Sequence, residues 1–300
     1  SKTVGIATAA TNHNTRHPLV TASYATTMHR LTEGRFCLGI GRGIGPLFAA
    51  YGMSKITTAQ MEDFANVMKR LFKGEVIFGH DGPIGKYPIL ALDPTFNENI
   101  PLGITAFGQN TLELAGRAFD CVILHTFFSD ETTQRCVKTV KDSAERAGRD
   151  PDKVRVWSCF ATIGDHIPED IRLKKTVGRL ATYLQGYGDL MVTTNNWDPA
   201  VLQRFRDDEF IKTFRGALDG IATTEQLEHV ATLLPSEWLE SAASGSPAEC
   251  VASIRHQFDL GCNGVIMHGA SPDDLAPIVR EYRATRPVGV FDHLAANPGG

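Results

Sequence analysis

Arg35-Phe36-Cys37-Leu38-Gly39-Ile40-Gly41-Arg42-Gly43-Ile44-Gly45 is the stretch that decides the fold of this chain. Its apolar run, Phe36 to Ile40, reads as a buried parallel strand that ends in four alternate glycines. Glycine backbone reaches positive φ and lets a ligand come close. A tight turn is the simpler use of glycine, but four exceed what a turn needs, so the loop reads as ligand-facing. On one side lies a helical stretch, Pro18 to Leu31, with Leu19, Ala22, Ala25, Met28 and Leu31 at helical spacing. On the other a second helical pattern begins near Thr58. Helix, strand, glycine loop, helix is the repeating unit of an α/β sheet whose ligands sit at the carboxyl ends of its strands.

Working outward toward the N-terminus, Thr3 to Ala10 reads as a strand of small residues, followed by a polar loop, Asn12 to Thr15. Pro18 opens the first helix where its missing N–H costs nothing, and Gly34 closes it in the left-handed conformation. Toward the C-terminus, Thr58 to Phe72 has one apolar face, and residues 75–92 read as a hairpin outside the main pattern. The alternation then resumes with strand Pro101 to Phe107, helix Thr111 to Ala118, strand Cys121 to His125, helix Glu131 to Ala147 and strand Val154 to Ile163. Such βα repetition favours a parallel sheet with helices outside. Residues 169–239 read as a helical insertion broken at Asp198-Pro199. The last unit is helix Pro247 to Leu260, strand Gly264 to His268 and helix Pro272 to Arg283, before an irregular tail from Arg286 to Gly300.

A length of 300 residues, 42% hydrophobic, suits one α/β barrel or two smaller domains. The net charge of −4 and the lack of a long Lys/Arg run argue against nucleic acid. Apolar runs stop short of the about 18 residues that a membrane span needs, and residues 1–20 lack the layout of a signal peptide. The expectation is a cytoplasmic protein without a membrane partner, its six cysteines, none in CxxC spacing, reduced and mostly buried.

Motifs narrow the chemistry first by exclusion. There is no HExxH, no His/Cys/Asp cluster at metal spacing and no GxSxG elbow, so no metal is expected. The glycine loop fails GxGxxG, and Gly82 to Lys86 is too short for a P-loop. The second informative stretch is Thr105-Ala106-Phe107-Gly108-Gln109-Asn110-Thr111, a strand end entering a helix with Asn110 or Thr111 as its expected N-cap. Free N–H groups at a helix start suit a phosphate, though ordinary capping reads nearly as well. The third is His125-Thr126, at the end of the next strand. Three strand ends rich in small or donor residues describe one rim, suited to a large, flat, phosphate-bearing cofactor.

Arg16-His17-Pro18, Thr21-Ala22 and the run Leu31 to Gly43 resemble the signature block of the bacterial luciferase-like superfamily. Leu114 to Asp120, Ala147 to Pro151 and the helix start Gly245-Ser246-Pro247 resemble its later blocks. The sequence is more similar to the branch using coenzyme F420, a deazaflavin, than to the FMN branch. The resemblance implies an α/β fold of the TIM (β/α)8 type in one domain over residues 1–300, with the cofactor at the C-terminal rim. It implies a non-proline cis peptide at Thr8-Ala9 or one residue away, bulging against the ring. Gly41 and Arg42 would flank the ring, Ala106, Phe107 and Gly108 would pass along the cofactor's tail, and His125 and Thr126 would meet its phosphate.

Relatives carry two further βα units upstream, and the acid/base residue of many deazaflavin enzymes lies there, so the catalytic residue has no match in this numbering. Without those units the apolar edge of strand 3–10 is expected to be exposed. Sugar-phosphate-oxidising relatives have a glutamate where this chain has Ile44, which speaks against that substrate. The function implied is an F420-dependent oxidoreductase exchanging hydride with a small organic substrate, commonly as a homodimer. The alternatives are an FMN-dependent monooxygenase and a flavin-binding protein without turnover.

Overall fold

The computed structural model describes residues 4–294, apart from the side chains of Pro46 and Leu47. Its contacts fall into two compact units, one holding the residues up to Ile123, Lys138–Val156 and the stretch from Gly289, the other Leu124–Val137 and Trp157–Val288.

In the first unit, β1 (Ile6–Ala7) is followed by α1 (Pro18–Leu31), β2 (Phe36–Ile40), α2 (Gly45–Ala50) and α3 (Thr58–Phe72). Then come the hairpin β3 (Ile77–Gly82) and β4 (Gly85–Leu90), β5 (Leu102–Thr105), α4 (Gln109–Ala118) and β6 (Cys121–Ile123). Strands β1, β2, β5 and β6 pair in that order and all in parallel, with Ile6 opposite Phe36, Leu38 opposite Leu102 and Ile104 opposite Val122. Helix α3 buries Met61, Phe64, Ala65, Met68, Leu71 and Phe72, the apolar face legible in its spacing. A capping box starts it, with Thr57 Oγ1 accepting from the Gln60 amide while Gln60 Oε1 accepts from the Thr57 amide.

The expected strand 3–10 is a correction: only Ile6 and Ala7 are strand, and Thr3 lies outside the described residues. The Thr8 amide donates to the Cys37 carbonyl, but the next amide to reach β2 is that of Thr11, which donates to Gly39. One extra residue is thus looped out between them, a bulge at the strand's carboxyl end. The cis peptide lies inside it at Ala9-Ala10, one residue beyond the matched Thr8-Ala9. Val4 and Ile6 are exposed.

The short helix α2 was not foreseen, because a six-residue segment with two of its first positions Gly and Pro carries no periodicity. Nor does α4 start at Asn110 or Thr111. Gly108 is its N-cap, extended at φ −98° and ψ 164°, and Gln109 is already helical.

α5 (Asp130–Arg146) and β7 (Arg155–Gly164) each contribute residues to both units. In the second unit β7 pairs in parallel with β8 (Ala243–Gly245) through Thr162 and Ala243, and with β9 (Gly264–His268) through Cys159 and Ile266. The expected helical insertion is α6 (Glu169–Leu173), α7 (Arg179–Asn195), α8 (Pro199–Asp207), α9 (Glu209–Thr213), α10 (Leu218–Ile221), α11 (Thr224–Ala231) and α12 (Ser236–Leu239). Trp197 and Trp238 stack across it at 4.3 Å and 9°. α13 (Pro247–Asp259) and α14 (Pro272–Thr285) pack with Phe160, Ala243 and Ile278 into one core cluster. Strand β8 was missed because Ala-Ser-Gly offers no apolar run. Of the expected tail, Arg286 to Leu294 have neither helix nor strand, and the remainder lies outside the described residues.

All six cysteines are unbridged thiols, five of them buried and Cys159 half-buried. No helix among the described residues is long and apolar enough to cross a membrane.

Candidate functional site

In the first unit the carboxyl tips of β1, β2 and β5 meet. The bulge after β1 lines a cavity of about 460 Å³ with Thr8, Ala9, Ala10, Thr11, Asn12, Thr15 and Arg16. Hydrogen bonds hold it to the next strand: Thr8 Oγ1 donates to the Gly39 carbonyl and accepts from the Gly39 amide, and Asn12 Nδ2 donates to the Gly41 carbonyl. Arg16 Nη1 lies 3.1 Å from both Thr11 Oγ1 and Thr15 Oγ1, which places a guanidinium at the cavity wall. Burial pushes the Tyr24 phenol up from its ordinary value, so the group is a neutral hydroxyl.

The glycines of the loop turn out to have different jobs. A Cβ at Gly39 would lie 1.9 Å from the Thr8 carbonyl oxygen, and one at Gly41 would lie 2.4 Å from Thr105 Oγ1 and 3.0 Å from Ala10 Cβ. Both make room for neighbouring strands. Gly43 takes φ +71°, and Gly45 begins α2 with nothing within 4 Å of its would-be Cβ.

Gly41 therefore lies against both Ala10 and Thr105, so the adjoining tips of β1, β2 and β5 carry Thr8, Ala9, Gly41 and Ala106. Ala106 is fixed by its amide on the Ile123 carbonyl. Phe107 follows, and Gly108 opens α4, where no side chain caps the first turn. The first amides of such a helix point outward toward an anion. The Arg42 side chain, half-buried and with its pKa lowered by burial, donates to Thr58 Oγ1 at the start of α3.

His125 and Thr126 belong to the second unit. His125 Nδ1 lies 3.0 Å from the Thr126 carbonyl, an acceptor only, so this nitrogen carries the hydrogen. Its Nε2 therefore accepts the hydroxyl proton of Tyr187 at 2.9 Å. Burial lowers the imidazole pKa to about 4 against the opposing Thr126 carbonyl, with His268 adding to the lowering. A neutral ring with both nitrogens engaged carries no cation to offer an anion.

The surroundings of His125 were not foreseen. Tyr183 meets it edge-on at 4.7 Å, and Tyr187 stacks on Tyr183 at 5.5 Å and 27°. Arg179 lies 5.9 Å over the Tyr183 ring and pairs with Asp219 at 2.9 Å. At the tip of β9, His268 has its pKa lowered by burial and then by Arg179, and its Nδ1 is buried without a hydrogen-bond partner. The signal that would have found Tyr187 was Gly186-Tyr187-Gly188, a glycine-flanked aromatic inside an otherwise helical stretch. Among the described residues no group of His, Cys, Asp and Glu is arranged to hold a metal.

A family model described as luciferase-like monooxygenase matches residues 1–264. The chain is 26% identical over 272 residues to a 5,10-methylenetetrahydromethanopterin reductase of Methanolobus tindarius, covering 89% of this chain and 77% of that protein. Among solved structures it is similar to the coenzyme F420-dependent tetrahydromethanopterin reductase of Methanopyrus kandleri, with a TM-score of 0.70 at 20% identity over 91% of this chain and 80% of that one. It is also similar to a monooxygenase of Streptomyces bottropensis, with a TM-score of 0.61 at 18% identity over 95% and 78%. The fold is that of the luciferase-like TIM-barrel proteins, as the resemblance implied.

Proposed function

The chain belongs to the luciferase-like monooxygenase family, and from that premise we propose that it is an F420-dependent oxidoreductase exchanging hydride with a small organic substrate. The observation that carries this reading is the rim of the first unit: a bulged strand tip, a glycine packed against it and an uncapped helix start lie on successive parallel strands. A cavity of about 460 Å³ is within the range of cofactor sites. The donor set suits a neutral ring and an anionic tail, with backbone and hydroxyls at the bulge and amides at Gln109 and Asn110.

In this reading Thr8, Ala9 and Ala10 support the ring, Gly41 and Arg42 border it, and Ala106, Phe107 and Gly108 run along the tail, with the first amides of α4 as phosphate donors. A deazaflavin, when bound, supplies a ring carbon that gives or takes hydride and does not react readily with dioxygen. The share of the protein is to bind and orient that ring and to exclude water from it. The resemblance to F420-dependent proteins of known structure and the reductase relative support the choice of cofactor.

A second reading, an FMN-dependent monooxygenase, is supported by the Streptomyces neighbour. Equilibrium fluorescence titration of the protein with F420 and with FMN separates the two. F420 is expected to bind more tightly and, once reduced, to consume no oxygen; tighter FMN binding with oxygen uptake would overturn the reading. The same reading makes the protein a cytoplasmic homodimer, and light scattering of the purified chain should give twice its mass.

A further inference from the structure

The cavity beside the β1 bulge is walled by threonines, alanines and an asparagine, and Arg16 is the one charged side chain among its lining residues. The loop fixes that guanidinium by a single nitrogen. Thr15 Oγ1 donates its own hydrogen to the Asn12 carbonyl, so it accepts from Arg16 Nη1. Thr11 Oγ1 accepts from the same nitrogen, also at 3.1 Å. Thr11 is in turn tied to β2, its amide donating to the Gly39 carbonyl and its carbonyl accepting from the Gly41 amide. The anchor of the arginine is therefore a strand tip held on both sides of its peptide plane.

Both hydrogens of Nη1 are committed by these two hydroxyls, which leaves the parallel N–H groups of Nε and Nη2. Among the described residues neither of those nitrogens has a hydrogen-bond partner, and no carboxylate pairs with Arg16. That edge of a guanidinium matches the two oxygens of a carboxylate. The chain itself uses it so: Arg117 holds Glu62 through Nε and Nη2, both at 2.8 Å, and Arg70 holds Glu75 through the same two nitrogens. Arg16 presents this fork at a cavity wall. An anion at the start of α4 does not reach it, because β1 and β5 lie on opposite sides of β2, two strand spacings or about 10 Å apart.

We infer that Arg16 is a specificity-determining residue that holds the carboxylate of an organic-acid substrate through Nε and Nη2; this rests on the hydride-transfer reading above and names the substrate class of that same site. A bidentate, charge-assisted pair is directional as well as strong, so it orients the substrate in addition to retaining it. With its carboxylate fixed at the bulge, the rest of a small acid has the cavity of about 460 Å³ to occupy. The two threonines act through Arg16: by holding Nη1 they set the plane of the fork before an anion arrives. Lysine in this place would keep the charge and lose the fork. An anionic group on the cofactor's own tail offers the same chemistry, and the test separates the two sources.

The probes are benzoate and benzamide, alike in shape and different in charge, titrated without cofactor into the full chain carrying 15N-labelled arginine. The Nε signal that is missing from Arg16→Gln identifies the residue. Benzoate should shift that signal and benzamide should leave it in place. Arg16→Gln should lose benzoate affinity about tenfold or more, the scale of a hydrogen-bonded charge, and Arg16→Lys should recover part of it. Arg16 is exposed, so both variants should unfold in urea as the wild type does. A signal indifferent to benzoate, or one that responds equally to benzamide, overturns the inference. Fluorescence titration of wild type and Arg16→Gln with F420 and with a deazaflavin lacking the phosphorylated tail identifies the source of the anion. Affinities unchanged by the substitution are expected; a loss confined to F420 assigns Arg16 to the cofactor's tail and overturns the substrate assignment. Failure of the wild type to bind F420 at all marks failure of the hydride-transfer reading, and the benzoate titration, which uses no cofactor, still decides whether Arg16 holds a carboxylate.

Discussion

A methyl group at position 39 would lie 1.9 Å from a backbone oxygen that has nowhere to move, whereas at position 41 it would meet the side chains of Thr105 and Ala10. Overpacking of this kind costs about 1–3 kcal/mol. Gly39→Ala should sit at the upper end of that range or beyond in urea unfolding. Gly41→Ala, where the nearest atom is the Thr105 hydroxyl and can turn aside, should lose less stability and more F420 affinity. His125 makes a prediction in pH. The folded protein keeps it neutral down to about pH 4, whereas an unfolded histidine titrates near 6.5. Its contribution is complete above pH 6.5 and is lost as pH falls toward 4, because the unfolded chain takes up a proton that the fold refuses. The loss attributable to this group is roughly 3 kcal/mol. Denaturant unfolding across that window should show it, and His125→Gln should flatten the slope.

Secondary structure was legible where side-chain spacing alone determines it. The bounds of α1, β2, α3 and β9 follow from apolar periodicity and terminal glycine or proline, and the structure places all four as read. The errors fall where an element is held by its neighbours. β1 is short because its ladder to β2 slips at a bulge, and β8 exists because Thr162 to Gly164 offer a partner edge to three small residues. Helix α4 illustrates the functional cost of such details. Its N-cap is Gly108, extended at φ −98°, a conformation open to any residue. Gly108→Asp should cap the helix and raise stability by about 0.5–1 kcal/mol. The added carboxylate should at the same time repel a phosphate, so F420 affinity is expected to drop while the melting temperature rises. Parallel calorimetry and fluorescence titration would show both.

For the molecule as a whole, a ligand that binds only the folded state stabilises it by mass action. F420 at a hundredfold excess over its Kd should add about 2.7 kcal/mol, and FMN at the same concentration should add less. A thermal shift series with both cofactors checks this and is independent of turnover. The sequence by itself determined the alternation of strands and helices and the family, since these depend on periodicity, on chain breakers and on a contiguous motif from Leu31 to Gly43. The tertiary structure alone decided which glycines are packing devices and which way the proton of His125 points. It also decided that Tyr187, sixty-two positions away in the chain, completes that histidine. Those outcomes depend on contacts between segments distant in sequence, and a local pattern of residue types carries no information about which distant carbonyl or hydroxyl will come within hydrogen-bonding reach.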